Sequence, residues 1–195
     1  MEKENIEYRC QPAEDLNFLQ SNSVDLITVA TALHWFDRDV FFKEVDRVLH
    51  PETGVLAIWT YKLGELDNPQ ADAIYREFFF QVLNSYWDKR GGLANDCYES
   101  IVHLFPYQST LQIKSISHSM KVTLEQLIGF IESTSAFQTY RKQQGEQVCQ
   151  NKIKTLREKL MECYNVVNHA ERENFQLVVA YSMKLYLMRK CLAIN

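Results

Sequence analysis

The sequence has little that would suit it to a membrane, an oxidising compartment or a metal. Its five cysteines are odd in number, widely scattered and without a CxxC pair. This pattern argues against a disulfide framework or a zinc site, and it predicts a reducing, cytoplasmic location and no metal. The first residues lack the apolar core of a signal peptide. No apolar run approaches the roughly 20 residues that span a bilayer, so no membrane partner is expected.

An excess of positive charge is also missing, as are the common catalytic motifs. The net charge is -4, which gives no electrostatic reason to bind nucleic acid. The sequence contains no GxGxxG, P-loop or HExxH string and no Ser-His-Asp spacing, so hydrolase, metalloprotease and nucleotide-phosphate chemistry have no positive support. Charged residues make up 24% and aromatic residues 12% of the chain. Those fractions and the length of 195 residues predict one globular domain with a sizeable core.

The first third of the chain has the pattern of a βαβ unit. Apolar and charged residues alternate over residues 5–10, which predicts a short strand. Residues 24–32 form a nearly continuous apolar run, typical of a strand buried on both faces of a parallel sheet. An amphipathic helix capped by Asp37 or Asp39 and a second buried strand over residues 55–59 follow. Strand, helix and strand in this order predict a right-handed parallel unit and an α/β fold.

The rest of the chain is predicted to be mainly helical, with two late strands. The last segment is compatible with a helix or a strand, and its valine, leucine and tyrosine content favours a strand. The predicted elements are a long helix from Asn68 to Gly91-Gly92, a strand over residues 111–122 with a bulge near Lys114, a helix opened by a capping box of Thr123 and Gln126, a helix over residues 147–164 and a strand over residues 175–188.

Ligands of open parallel sheets bind beyond the carboxyl ends of the strands. This rule directs attention to residues 12–15, 31–37 and 60–62. The second of these segments is the richest, because TALHWFD places a histidine, a tryptophan, a phenylalanine and an aspartate on one loop. Two interpretations of His34 stay open, a general base and an ordinary packed loop residue.

Three strings of the sequence resemble a known family: IEYRCQPAEDL, SVDLITVATALHWFD and FFKEVDRVLHPETGVLAIWTY. They are similar to the second half of class I S-adenosylmethionine-dependent methyltransferase domains. EVDRVLHPETGVLAI resembles the E-x-x-RVL-x-P-x-G-x-L segment of that superfamily. ALHWFD and TLEQLIGFIESTSAFQTYRK resemble its type-11 subgroup, which includes the trans-aconitate methyltransferase-like proteins.

The resemblance implies a Rossmann-like methyltransferase sheet with a helical insertion before the last two strands. It implies a single methyltransferase domain over residues 1–195. Within that domain, residues 1–62 would form the second half of the parallel core, residues 63–110 the helical insertion, and residues 111–195 the last two strands with a helical cap between them.

The resemblance also implies S-adenosylmethionine as the cofactor and a small molecule, carrying a carboxylate or a hydroxyl, as the methyl acceptor. A carboxylate is already nucleophilic, whereas a hydroxyl needs a base. The implied assignments are His34 for catalysis, Ala13, Glu14, Ala30, Thr31, Ala32 and Trp35 for cofactor binding, and Phe36, Thr134, Ser135 and Tyr140 for acceptor binding.

The sequence departs from the family in what precedes these strings. The glycine-rich loop and the ribose-binding acid of the superfamily have no counterpart here, and Pro12 stands where many relatives have an acid. The expectation is an amino-terminally truncated domain with impaired cofactor binding. Two alternatives stay open: a non-catalytic methyltransferase remnant that acts as an interaction partner, and an α/β interaction domain in which TALHWFD only packs. The oligomeric state is not predicted.

Overall fold

A computed structural model describes residues 5–166 and 175–190 of the chain. These residues form a mixed sheet with helices, and the strand order is β1-β2-β5-β3, with β4 also paired to β5. One π-helix, Phe78–Val82, and several short 3-10 segments complete the structure. The elements are β1 Leu26–Ala30, α1 Arg38–Val48, β2 Val55–Tyr61, β3 Glu65–Leu66, α2 Pro69–Glu77, α3 Gly92–Asn95, β4 Gln112–Thr123, α4 Leu124–Ser133, α5 Ser135–Gln144, α6 Glu146–Cys163 and β5 Gln176–Arg189.

The predicted βαβ unit is confirmed. β1 and β2 are parallel, and the five residues of β1 pair in register with residues 55–59. α1 connects the two strands, and the Asp37 side chain caps it by accepting a hydrogen bond from the Val40 backbone N–H at 3.3 Å. The buried face of α1 has the spacing of an amphipathic helix. Its buried residues are Phe41, Val45 and Val48.

Two predictions about the first strands are wrong. Residues 5–10 form no strand, and their apolar side chains are exposed, Ile6 by 48% and Tyr8 by 88%. β1 is buried on one face only, since Val29 is buried while Leu26 is 56% exposed. An alternating segment forms a strand only when a neighbouring strand accepts its backbone hydrogen bonds. In the described sheet β1 lies at one end and has β2 as its partner.

The long helix predicted after Asn68 starts as expected but ends early. The Asn68 carboxamide oxygen accepts hydrogen bonds from the N–H groups of Gln70 and Ala71, at 2.9 and 3.1 Å. α2 ends at Glu77, and the π-helix that follows is closed by a bond from the Leu83 N–H to the Phe78 carbonyl at 3.0 Å. The prediction of one regular helix to Gly91 is therefore wrong. The wider π turn lets adjacent Phe78 and Phe79 both be buried.

The later elements follow the sequence pattern closely. The capping box is present, because the Thr123 hydroxyl accepts from the Gln126 N–H at 3.2 Å and the Gln126 carboxamide accepts from the Thr123 N–H at 2.8 Å. The strand predicted over residues 111–122 is present as one continuous strand, β4, over Gln112–Thr123. α6 and β5 agree with the predicted helix and the favoured strand to within one residue at each end.

The residues group into two compact units. The first unit comprises the described residues of 1–60, 98–114 and 184–195, and the second those of 61–97 and 115–183. In the first unit, α1 buries Phe41, Val45 and Val48, and β2 buries Leu56 and Ile58. The second unit has a core of aliphatic and aromatic side chains from α2, the π-helix and α4 to α6.

Among the described residues, no helix combines the length and the apolar character needed to cross a membrane.

Candidate functional site

The candidate site is built where β1 ends. Thr31, directly after the strand, has a φ of +47° and donates its N–H to the Trp59 carbonyl at 2.8 Å. A β-branched residue with positive φ is a steric outlier, and such strain often marks a functional turn. The turn leads into a 3-10 segment, Leu33–Trp35, in which the Trp35 N–H donates to the Ala32 carbonyl at 2.9 Å. The chain therefore reverses sharply at the carboxyl edge of the sheet.

His34 lies inside this turn and is buried. Its Nδ1 atom lies 2.9 Å from the hydroxyl oxygen of Tyr98, a fully buried residue that itself has a φ of +63°. The His34 ring also lies against Trp35, with 4.8 Å between ring centroids. Since Nδ1 contacts the phenol, any proton transfer to a ligand would use Nε2. The ring is held in place as a catalytic group would be, and equally as a packed core residue would be.

The segment that contains Ala13 and Glu14 is joined to the same turn. The Glu14 carboxylate accepts the Asp37 backbone N–H at 2.6 Å, at the residue that caps α1. This contact connects Ala13 and Glu14, two of the predicted cofactor residues, to the loop that carries His34 and Trp35. The Trp35 side chain is 40% exposed. The first unit therefore brings together all the predicted cofactor residues and His34 near one end of β1.

An ion pair on α1 holds the chain segment that follows Glu14. Arg47 donates to the carbonyls of Leu19 and Leu16, at 3.0 and 2.9 Å, and to both carboxylate oxygens of Glu44 at 2.8 Å. Glu44 also accepts the Leu16 N–H at 3.1 Å. The Arg47 hydrogen bond holds the pKa of the Glu44 carboxyl below its ordinary value, against a smaller opposing effect of burial. This pair fixes residues 16–19 on α1.

The predicted acceptor residues have different surroundings. Phe36 is half-buried and packs against Phe41, with ring centroids 4.9 Å apart. In the second unit, the Thr134 hydroxyl caps α5 by accepting the Phe137 N–H at 3.3 Å. Tyr140 is buried, and burial raises its pKa. The structural roles of Thr134 and Tyr140 are thus evident, while Ser135 is exposed at the start of α5.

Sequence reasoning missed Tyr98 and the Glu44–Arg47 pair. Tyr98 is 64 residues from His34, and its neighbours in the sequence form no motif. The spacing of three residues between Glu44 and Arg47 is a readable signal for a helical ion pair. Within residues 5–166 and 175–190, no three His, Cys, Asp or Glu side chains group as metal ligands would.

Comparison with known proteins gives these contacts a family context. Residues 1–58 match the model of the methyltransferase domain family. The chain is 32% identical over 167 residues to a Dictyostelium discoideum protein described as a methyltransferase, covering 85% of this chain and 60% of that protein. It is 25% identical over 204 aligned positions to a Saccharomyces cerevisiae protein described as an S-adenosylmethionine-dependent methyltransferase, covering 92% and 67%. The chain is thus similar to S-adenosylmethionine-dependent methyltransferases over most of its length. The prediction made from its three sequence strings is confirmed.

A solved structure supports the fold assignment. A protein of Anaeromyxobacter dehalogenans described as a type II methyltransferase superposes with a TM-score of 0.77 at 24% identity, over 98% of this chain and 74% of that one. This likeness confirms the predicted α/β, Rossmann-like fold. The chain spans 60% of the length of its Dictyostelium relative.

Proposed function

We propose that this chain contributes the cofactor-side and catalytic residues for methyl transfer from S-adenosylmethionine to a small-molecule acceptor. The observation that carries the proposal is the strained turn after β1, which groups Thr31, His34 and Trp35 beside the Glu14 segment. Ligands of α/β sheets bind at this edge. The family match over residues 1–58 covers the same segment and supports the same chemistry.

The residues around the turn suit an adenosyl cofactor. The Trp35 indole is 40% exposed and offers a flat apolar face, and Ala30 is exposed with a small side chain that allows close approach. When bound, S-adenosylmethionine supplies an activated methyl group on a sulfonium. The chain's own contribution is to position the reactants and exclude water.

The role proposed for His34 depends on whether the acceptor group is a hydroxyl or a carboxylate. For a hydroxyl acceptor, His34 accepts the proton through Nε2 while Tyr98 holds Nδ1. For a carboxylate acceptor no base is needed, and His34 orients the oxygen by a hydrogen bond. Phe36, Thr134, Ser135 and Tyr140 are proposed for the acceptor side.

We further propose that this 195-residue polypeptide on its own binds the cofactor weakly, with a dissociation constant of about 1 mM or higher. Leu26 begins β1, at the opposite end of the strand from the turn, and is 56% exposed, so the β1 edge of the sheet faces solvent. The same exposed edge favours a second candidate function, a non-catalytic partner that binds another chain through β1.

A titration with S-adenosylhomocysteine, followed by amide chemical shifts, tests these proposals. We expect shifts centred on residues 30–37 with a millimolar midpoint. Trp35→Ala should raise that midpoint at least about fivefold, whereas Phe80→Ala, a matched exposed aromatic of the second unit, should leave it unchanged. No shift at residues 30–37 would contradict the cofactor site, and a micromolar midpoint would contradict weak binding.

A further inference from the structure

A small apolar hollow lies within the second unit, between two helical walls. α2 and the π-helix that continues it form one wall, which contributes Ile74, Phe78 and Val82, and α6 forms the other with Leu156. The hollow has a volume of about 100 Å³. Sites for drug-sized ligands measure about 300–1,000 Å³, so this hollow suits one large apolar side chain instead. We call it the α2–α6 groove.

The wall of this groove contains the backbone irregularity of the second unit. At Phe78 the helix changes from α to π geometry, closed by the bond from the Leu83 N–H at 3.0 Å. π turns occur frequently at functional sites, where they change the direction in which side chains point. Phe78 and Val82 both line the hollow, and Phe78 also belongs to the main core together with Phe79.

Two lysines border the groove on α6. Lys152 and Lys159 are seven residues apart, which places them on the same face of the helix and about 10.5 Å apart along its axis. Both are exposed, and neither forms an ion pair with any residue in the described ranges. Glu77 on the opposite wall is the only carboxylate among the lining residues. The groove is therefore locally basic along α6 in a chain whose net charge is -4.

The energetics favour a protein segment over a small molecule. Exposed ion pairs are weak individually, and one buried side chain does not offset the translational and rotational freedom that a small ligand loses on binding. A helix that lies along α6 adds contact surface and presents carboxylates two turns apart. We propose that the α2–α6 groove binds an acidic helical segment of a partner protein. In that segment, carboxylates at positions i and i+7 contact Lys152 and Lys159, and a leucine-sized side chain at i+4 fills the hollow.

Fluorescence anisotropy with a defined probe tests this proposal. The probe is a labelled, stapled helical peptide with Glu at i and i+7, Leu at i+4, and Ala and Gln elsewhere. We expect the double variant Lys152→Glu, Lys159→Glu to weaken binding at least about tenfold. Lys154→Glu, an exposed lysine of the same helix outside the groove, should change it less than about twofold. Glu77→Gln should tighten binding, because it removes the one like charge from the opposite wall.

Three results would overturn the proposal. They are the absence of probe binding at about 1 mM protein, equal weakening by Lys154→Glu and by the double variant, and equal affinity for a probe with Ala at i+4. A fall in the sedimentation coefficient of the chain on the double substitution would instead identify a second copy as the occupant. Circular dichroism melts of each variant establish that the helices are retained.

Discussion

The imidazole of His34 and the phenol of Tyr98 form the most buried polar contact of the candidate site. Tyr98→Phe keeps the ring and removes the hydroxyl, so the His34 Nδ1 atom loses this partner inside the protein. A buried polar group left without its partner costs about 1–3 kcal/mol, and we expect the free energy of unfolding to fall by that amount. Urea denaturation measures it.

The matched control for Tyr98 is Tyr61→Phe, since the Tyr61 side chain is 39% exposed. Substitutions at such sites usually change stability by less than about 0.5 kcal/mol. Equal losses from Tyr61→Phe and Tyr98→Phe would show that the His34–Tyr98 bond adds nothing specific. If Tyr98→Phe retains full stability but the shifts of residues 30–37 on titration with S-adenosylhomocysteine disappear, the hydroxyl acts in ligand binding alone.

The Glu44–Arg47 pair makes the free energy of unfolding depend on pH, and the direction of that dependence follows from the pKa shift of Glu44. Because the folded state lowers the pKa of Glu44 below its ordinary value of 4.5, the carboxylate stabilises the fold at neutral pH. That contribution begins to fade near the ordinary value and is lost as the pH falls through the lowered one. Both side chains are partly exposed, which limits the effect.

Glu44→Gln should therefore lower the free energy of unfolding by about 1 kcal/mol at pH 7. The difference from the unsubstituted protein should shrink as the pH falls below about 4. Urea titrations across this range measure it, with Glu52→Gln, an exposed acid, as the control. A constant difference at all pH values would show that Glu44 contributes through packing and not through its charge.

Among the helices, the junction between α5 and α6 depends on one glycine. Gly145 has a φ of +84°, and a Cβ atom placed there meets nothing within 4 Å. The conformation, not crowding, selects glycine at this position. Gly145→Ala should therefore destabilise the protein by about 1 kcal/mol.

Gly129 in the interior of α4 is the opposite case. A Cβ there also meets nothing within 4 Å, but its backbone is helical with ordinary φ. Gly129→Ala should stabilise the protein by about 0.5–1 kcal/mol, because alanine loses less backbone entropy on folding. Thermal unfolding of both variants measures the contrast. The same sign of change in both would show that backbone conformation does not distinguish these positions.

The exposed edge strand β1 is expected to make the polypeptide associate in solution. β1 reads LITVA, carries no charged residue, and exposes Leu26 by 56% at one end of the described sheet. An apolar edge without lysine or proline invites pairing with another strand, so we expect concentration-dependent association. Leu26→Lys should reduce that association, as sedimentation velocity would measure.

β4 supplies the control for this edge. It is also exposed, but it already contains Lys114 and Lys121, which oppose strand pairing. Ile116→Lys, at a 40% exposed position of β4, should therefore leave the association unchanged. A monomeric protein at all concentrations, or equal effects of the β1 and β4 substitutions, would contradict the role assigned to β1.

Local sequence patterns predicted much of the architecture correctly. Alternation, helical spacing and cap residues placed α1, β2, the capping box at Thr123 and the strand β5, because these signals depend on residues within a few positions of one another. The same reasoning was wrong for residues 5–10 and for the helix after Glu77. Residues 5–10 form no strand because a strand needs a neighbouring strand for its backbone hydrogen bonds. The helix after Glu77 loses its regular α geometry where Phe78 and Phe79 are both buried.

The features of the candidate site also fall into those that local sequence predicts and those that depend on tertiary contacts. The residues of TALHWFD and the resemblance to methyltransferases were evident in the printed sequence, because contiguous side chains and their spacing carry that information. The contact between His34 and Tyr98 and the link from Glu14 to the Asp37 backbone were not. Each joins residues that are distant along the chain. Only tertiary packing brings their polar atoms within hydrogen-bond distance, and no local periodicity encodes that distance.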